Sequence, residues 1–424
     1  MNGGVADFLI RYRIPMKLGI SALIIAGTAD LFAGLLMDRM EDQLTAVIGM
    51  MILIYSAIGM RGTIFGAMGS RIGTSLNIGT FEMSFRKGTV LRANVESTLV
   101  LTLLMSVIMG FTSWVVASLL FGGTTSLWDF IFISGIGGFA AGVIVLFCNI
   151  GIAYTGYRKE WDVDNITAPL ISAIGDIVTL PMIFVTTMLC FRVRDLTSDD
   201  SVMMLVATVL IAVSAFMLVH IFFRKSSRMS FEGEAKRIIV QSLPMLLFCL
   251  LFEIIAGMVI QDQQDRLIRF SIFMIMMPAF LDQGNALTGM LTSRLSSMIH
   301  LGTLEKKAVP GKGARDNFMF ILTCGMLTFV YIGVVSYIVA AVFPGSDLAG
   351  VTLAQTLVIV LVAGLVSTVI LSFLSYYVAI LADRFGLDPD DHCIPITSSA
   401  SDLICATVLT VSIALLLHLR GMAC

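Results

Sequence analysis

The chain has 424 residues, of which 57% are hydrophobic and only 13% charged, and its formal net charge is -2. Soluble domains run near about 45–50% apolar and about 25% charged, so this composition excludes an ordinary globular enzyme or binding module. The small net charge gives no reason to expect a nucleic-acid partner.

About eleven apolar segments follow one another, over 14–37, 44–68, 95–121, 127–156, 168–191, 202–223, 238–260, 267–291, 317–343, 352–382 and 393–418. Each has the roughly 20 residues that a helix needs to cross a hydrocarbon core of about 30 Å. The alternating strands of about 10 residues that a membrane barrel requires are missing. The expected fold is therefore an all-α polytopic membrane protein held in the lipid bilayer. The first segment is too long for a cleaved signal peptide and lacks an A-x-A type exit, so it reads as a retained helix.

The segments form two sets. At a constant offset of 223, Gly66 falls on Gly289, Ser70-Arg71 on Ser293-Arg294, Gly79-Thr80 on Gly302-Thr303, Glu82 on Glu305 and Asp30 on Glu253. Three residues of slippage later, Asp162, Asp164, Pro169, Ser172 and Asp176 fall on Asp388, Asp390, Pro395, Ser398 and Asp402. This is a tandem duplication, with a first repeat over 1–195, a linking membrane helix within 196–230 and a second repeat over 231–424. Five helices per repeat would leave the copies in opposite orientations. The unmatched helix 202–223 returns the chain to the starting side, so the repeats are expected to be parallel and related by a pseudo-twofold axis along the membrane normal.

Lys and Arg favour cytoplasmic loops. With the N-terminus in the cytoplasm, inside segments hold 20 of the 27 basic residues, among them Arg71, Arg86, Lys87, Arg158, Lys159, Arg224, Lys225, Lys306 and Lys307. The C-terminus is then external, and the expected location is the plasma membrane. The longest polar loops, Gly69–Asn94 and Thr292–Asn317, are too short for a soluble domain. The chain has no GxxxxGK[ST] that would point to ATP-driven pumping. The seven cysteines form no CxxC and read as small hydrophobes.

Four acids lie inside apolar segments, namely Asp30 and Glu253 in the first helix of each repeat and Asp176 and Asp402 in the last. A central Asp costs about 2.5–3.5 kcal/mol on insertion scales, so these residues must face water, a cation or one another. Asp30 and Glu253 sit toward the external side and Asp176 and Asp402 toward the cytoplasmic side, two levels roughly 12 Å apart at about 1.5 Å per residue. If the pseudo-twofold axis is a conduction path, each level offers two carboxylates to a hard divalent cation such as Mg²⁺, which keeps several of its waters. The alternative is protonated acids hydrogen-bonded within the bundle for packing.

Ser172 and Thr179 share a helical face with Asp176, at i−4 and i+3, and Ser398 repeats the first beside Asp402 while Cys405 replaces the threonine. These hydroxyls would orient metal-bound water or serve helix packing. The acidic strings Asp162-Val163-Asp164-Asn165 and Asp388-Pro389-Asp390-Asp391 would attract cations to the cytoplasmic mouth or complement a helix dipole. The glycines of 59–73, with Gly284 and Gly289 in the copy, point to close helix approach or a broken helix.

The run from Asp164-Asn165 through Pro169 and Ser172 to Gly175-Asp176 resembles the signature of the MgtE magnesium channels and the related solute-carrier magnesium transporters. Gly284-Asn285, Ser293-Arg294 and His300-Leu301-Gly302 resemble that family's second-helix pattern, whereas Arg61-Gly62 stands at the Gly-Asn position in the first copy. The resemblance implies that Asp176 and Asp402 are pore ligands, that Mg²⁺ is a transported substrate rather than a cofactor, and that one chain can form the pseudo-dimeric pore. Channel, Na⁺- or H⁺-coupled exchanger and non-transporting scaffold subunit remain alternatives. Other divalent cations also remain possible substrates. Catalysis is not expected, since the chain has no HExxH or nucleophile elbow and its four histidines are scattered.

Overall fold

The computed structural model describes residues 3–419 except 87, 124, 160–162, 198–199, 224–233, 344–347, 349 and 386–388. It leaves out the side chains of 3–14, 77–78, 153, 156–159, 163–172, 389–392 and 419 as well. The described residues are helical and contain no strand. The long helices are α1 (Gly3–Asp38), α2 (Met50–Ile78), α3 (Val90–Leu120), α4, α5 (Val163–Thr197), α6 (Ser201–Phe223), α7 (Glu234–Asp262), α8 (Ser271–His300), α9 (Lys312–Val342), α10 (Leu353–Arg384) and α11 (Pro389–Leu419). Helix α4 runs from Leu127–Phe132 through a π-helical stretch, Ile133–Gly137, into Gly138–Lys159.

Ten of these helices are long and apolar enough to cross a membrane. The remaining long helix, α8, contains Asp282, Gln283, Asn285 and Arg294 within its span, and its polarity is accommodated by burial along most of its length. The linking helix α6 is the reverse case, apolar throughout and buried on little of its surface. Its exposed Leu205, Val209, Phe216 and Val219 suit contact with lipid chains.

The duplication is visible in local structure. Short helices at Glu41–Ala46 and Gln264–Arg269 precede α2 and α8 at the same offset that relates the repeats. The end of α2 is closed by Gly79 at φ 76°, and Gly302 follows α8 at φ 66°, a left-handed conformation that glycine adopts without a Cβ penalty. Arg71 Nε donates to Asn94 Oδ1 at 2.7 Å, and Arg294 Nη1 donates to Asn317 Oδ1 at 3.1 Å. Each Asn in turn donates to the backbone one turn earlier, Val90 O and Gly313 O. Arg71 and Arg294 thus tie the second helix of each repeat to the third.

Packing divides the chain differently from the repeats. One compact unit comprises 1–38 and 263–424, the other 39–262. In the first unit α1 packs along α8, and in the second α7 packs along α2. Each repeat's first helix therefore belongs to the unit built by the other repeat. The contacts match residue for residue, because a Cβ on Gly34 would overlap the backbone of Ile275, and one on Gly257 would lie 2.7 Å from Ile52 Cα. Gly34 and Gly257, like Ile52 and Ile275, are related by the repeat offset. Thr28 Oγ1 and Tyr331 Oη, 2.6 Å apart, also tie α1 to α9 in the first unit.

Neither α2 nor α8 is broken. Gly59 and Gly284 are sites of close approach, whereas a Cβ at Gly66 or Gly289 would meet nothing within 4 Å.

Candidate functional site

All four sequence-selected acids are buried, with exposures of 0% for Asp30, 1% for Glu253, 4% for Asp176 and 6% for Asp402. They are distributed as one first-helix acid and one last-helix acid per unit. Asp30 and Asp402 belong to the first unit, and Glu253 and Asp176 to the second. Among the described residues no group of three or more His, Cys, Asp or Glu is gathered as a metal cage.

In the first unit, Asn285 Nδ2 on α8 donates to Asp402 Oδ1 on α11 at 2.7 Å. The close fit of the two helices follows from Gly284, where a Cβ would overlap Cys405 Sγ and lie 3.1 Å from Ser401 Oγ. Ser398 is half-buried one turn before Asp402. In the second unit, Glu253 lies directly on the backbone of α2, since a Cβ at Gly59 would overlap its carboxyl group. By the repeat offset, Asp282 corresponds to Gly59 and the shorter Asp30 to Glu253.

Asp176 has a different neighbour. Arg61 takes the position that Gly284 holds in the other repeat and lies against Gly175, the residue before Asp176, whose Cβ position would be 4.0 Å from Arg61 Cβ. Thr179 Oγ1 donates to Gly175 O of its own helix at 2.6 Å, so its proton is committed and only its lone pairs remain for a cation's water. The side chains of Ser172, Pro169 and the two acidic strings lie outside the described residues.

Two site-level features escape the sequence reading. Asp282 is buried, and beside it Gln283 Nε2 donates to Thr328 Oγ1 at 3.0 Å. A search for acids repeated at the common offset passes over Asp282 because its partner position is Gly59. Farther along the second unit, Asp129 is buried against Arg194, whose Nη2 lies 2.8 Å from both Asp129 Oδ2 and Asp200 Oδ1. This ion pair joins α5 to the start of α4, and the duplication does not repeat it.

The MgtE family, described as a divalent cation transporter family, matches residues 54–186 and 277–412. The chain belongs to this family. The two matched stretches fall in the two repeats, each running from the second helix into the last. Solute carrier family 41 member 3 of Rattus norvegicus is 23% identical over 95% of this MgtE-family chain and 87% of that protein. Its counterpart from Mus musculus is 24% identical over 94% of this chain and 82% of that one. Among solved structures, the eukaryotic MATE transporter AtDTX14 has a TM-score of 0.38 at 11% identity, covering 96% of each chain. A MATE in complex with Br-NRF has a TM-score of 0.27 at 13% identity, covering 98% of this chain and 96% of that one. Neither score carries an argument about the fold. The MgtE-family chain is a multi-pass membrane protein of a divalent cation transporter family.

Proposed function

We propose that this chain carries Mg²⁺ across the plasma membrane, with the intramembrane carboxylates replacing part of the ion's hydration shell and Asp402 as the principal ligand. The observation that supports this is a gathering of buried carboxylates. In the first unit Asp30, Asp282 and Asp402 are all buried, while no Lys or Arg is buried there among the described residues. Carboxylates in a low-dielectric interior need a cation or a proton. Asn285 holds Asp402 in place from α8, and Asp30 acts nearer the external side, where it raises the local cation concentration. Hard oxygen donors suit Mg²⁺ and act on it through its retained waters. One chain carries both repeats, so the path belongs to the monomer.

The experiment is uptake of Mg²⁺ into proteoliposomes, with Mn²⁺, Co²⁺ and Ca²⁺ as competitors and with Na⁺ or pH gradients imposed. Downhill Mg²⁺ entry without either gradient is expected. Uptake only under a Na⁺ or proton gradient would replace the channel with an exchanger. Absence of flux in every condition would leave the scaffold reading.

Orientation is checked separately. Cysteines introduced at Arg86 and Lys306 are expected to react with a membrane-impermeant reagent only from the cytoplasmic side, and cysteines at Asp42 and Asp265 only from outside. Labelling of Arg86 and Lys306 from opposite sides would overturn the parallel arrangement.

A further inference from the structure

Arg61 is the one buried basic residue among the described side chains, at 3% exposure. Its Nη2 donates to Gly138 O at 2.7 Å, and Nη1 has no hydrogen-bond partner among the described residues. Charged groups in a membrane interior are costly and are found paired with opposite charges or backbone carbonyls, and the acid next to Arg61 along α5 is Asp176, whose preceding residue Gly175 has its Cβ position 4.0 Å from Arg61 Cβ.

The surroundings are fitted to this residue. Gly175, immediately before Asp176, stands next to the α2 side chain, since its Cβ position would lie 4.0 Å from Arg61 Cβ, an ordinary contact. The corresponding pair in the second repeat is inverted, with Gly284 on α8 and Ser401 before Asp402. The large residue and the glycine have exchanged helices between the two copies. The accepting carbonyl belongs to Gly138, the first residue after the π-helical stretch of α4, whereas α10 in the second repeat is α-helical throughout. A Cβ at Gly138 would overlap Ser106 Oγ, which explains why no side chain stands there. The two last-helix aspartates thus have different surroundings, with the Asn285 amide bonded to Asp402 and Arg61 standing against the residue before Asp176.

We propose that Arg61 is a tethered cation that neutralises Asp176, so that the duplicated site is charge-compensated in the first repeat and the transported cation is held by the Asp402 side alone. Arg61 is then a residue that sets the charge of the path and hence its affinity for a divalent ion. This rests on the transport reading above and concerns how that charge is distributed.

The test is a double-mutant cycle with Arg61→Met, which removes the charge at similar volume, and Asp176→Asn. It is read on Mg²⁺ flux in proteoliposomes and on melting temperature. Asp176→Asn alone strands a buried cation and is expected to reduce flux at least tenfold and lower the melting temperature. Arg61→Met alone frees a second carboxylate and is expected to lower the Mg²⁺ KM about tenfold. The double variant should recover both readouts, with flux within about threefold of the unaltered chain, and Arg61→Lys should retain KM. A double variant as inactive as Asp176→Asn, with additive losses of melting temperature, would overturn the proposal by making Asp176 a ligand in its own right. Failure of the transport reading is distinguishable, because the unaltered chain would then show no Mg²⁺ flux while the melting-temperature cycle still reports the charge pair.

Discussion

Asp402→Asn is expected to reduce Mg²⁺ flux by tenfold or more while leaving the melting temperature unchanged or slightly raised. The substitution keeps an oxygen to accept from Asn285 Nδ2, the 2.7 Å bond that ties α11 to α8, and removes only the charge. Burying a carboxylate in the membrane opposes folding by about 2.5–3.5 kcal/mol on insertion scales, so neutralising it while keeping the bond from Asn285 should not destabilise the bundle. A second readout follows from linkage. A ligand that binds only the folded state stabilises it by about 2.7 kcal/mol at a hundred times its Kd, so Mg²⁺ should raise the melting temperature of the unaltered chain and not that of Asp402→Asn. Asp402→Ala is the less informative change, because it also leaves the half-buried Asn285 amide without its acceptor. A loss of stability with flux retained would assign Asp402 to packing and remove it from the ion path.

Gly34→Val is expected to have the largest structural effect. The added side chain would meet the backbone of Ile275, which cannot rotate away as a side chain can, so α1 would have to separate from α8. Overpacking costs typically about 1–3 kcal/mol where neighbouring side chains can adjust, and the upper end or more applies against a main chain. Gly257→Val should do the same to the α7–α2 contact, where Ile52 Cα would lie 2.7 Å away. Melting of detergent-purified protein checks both, with a fall of at least about 5 °C expected for a loss of that size. Gly66→Ala is the control, since its Cβ position is open and alanine favours the helix by about 1 kcal/mol. Equal behaviour of Gly34→Val and Gly66→Ala would contradict the exchange of first helices between the two units.

The sequence made much of this legible because the duplication samples each feature twice. The offset that relates Arg71 to Arg294 also relates their asparagine partners, and the repeated Gly79-Thr80 and Gly302-Thr303 mark the ends of α2 and α8. What the offset could not reveal was which copy a helix packs against. Gly34 and Ile275 are linked only through space, and a helix packed on its own repeat would carry the same apolar pattern. The departures from the repeat were equally hard to read. Arg61 is visible in the sequence as a mismatch to Gly284, but its meaning depends on its standing beside Gly175 and on Gly138 offering a carbonyl, residues distant in the chain. Thr179, chosen for sharing a face with Asp176, donates to its own helix backbone, which i+3 spacing does not foretell.

The central claim is that intramembrane carboxylates carry a divalent cation, and Mg²⁺ uptake by proteoliposomes containing either the unaltered chain or Asp402→Asn tests it most directly. Saturable Mg²⁺ entry in the first and at most a tenth of it in the second is the predicted result. Equal uptake by both, with equal amounts of folded protein in the vesicles, would contradict it.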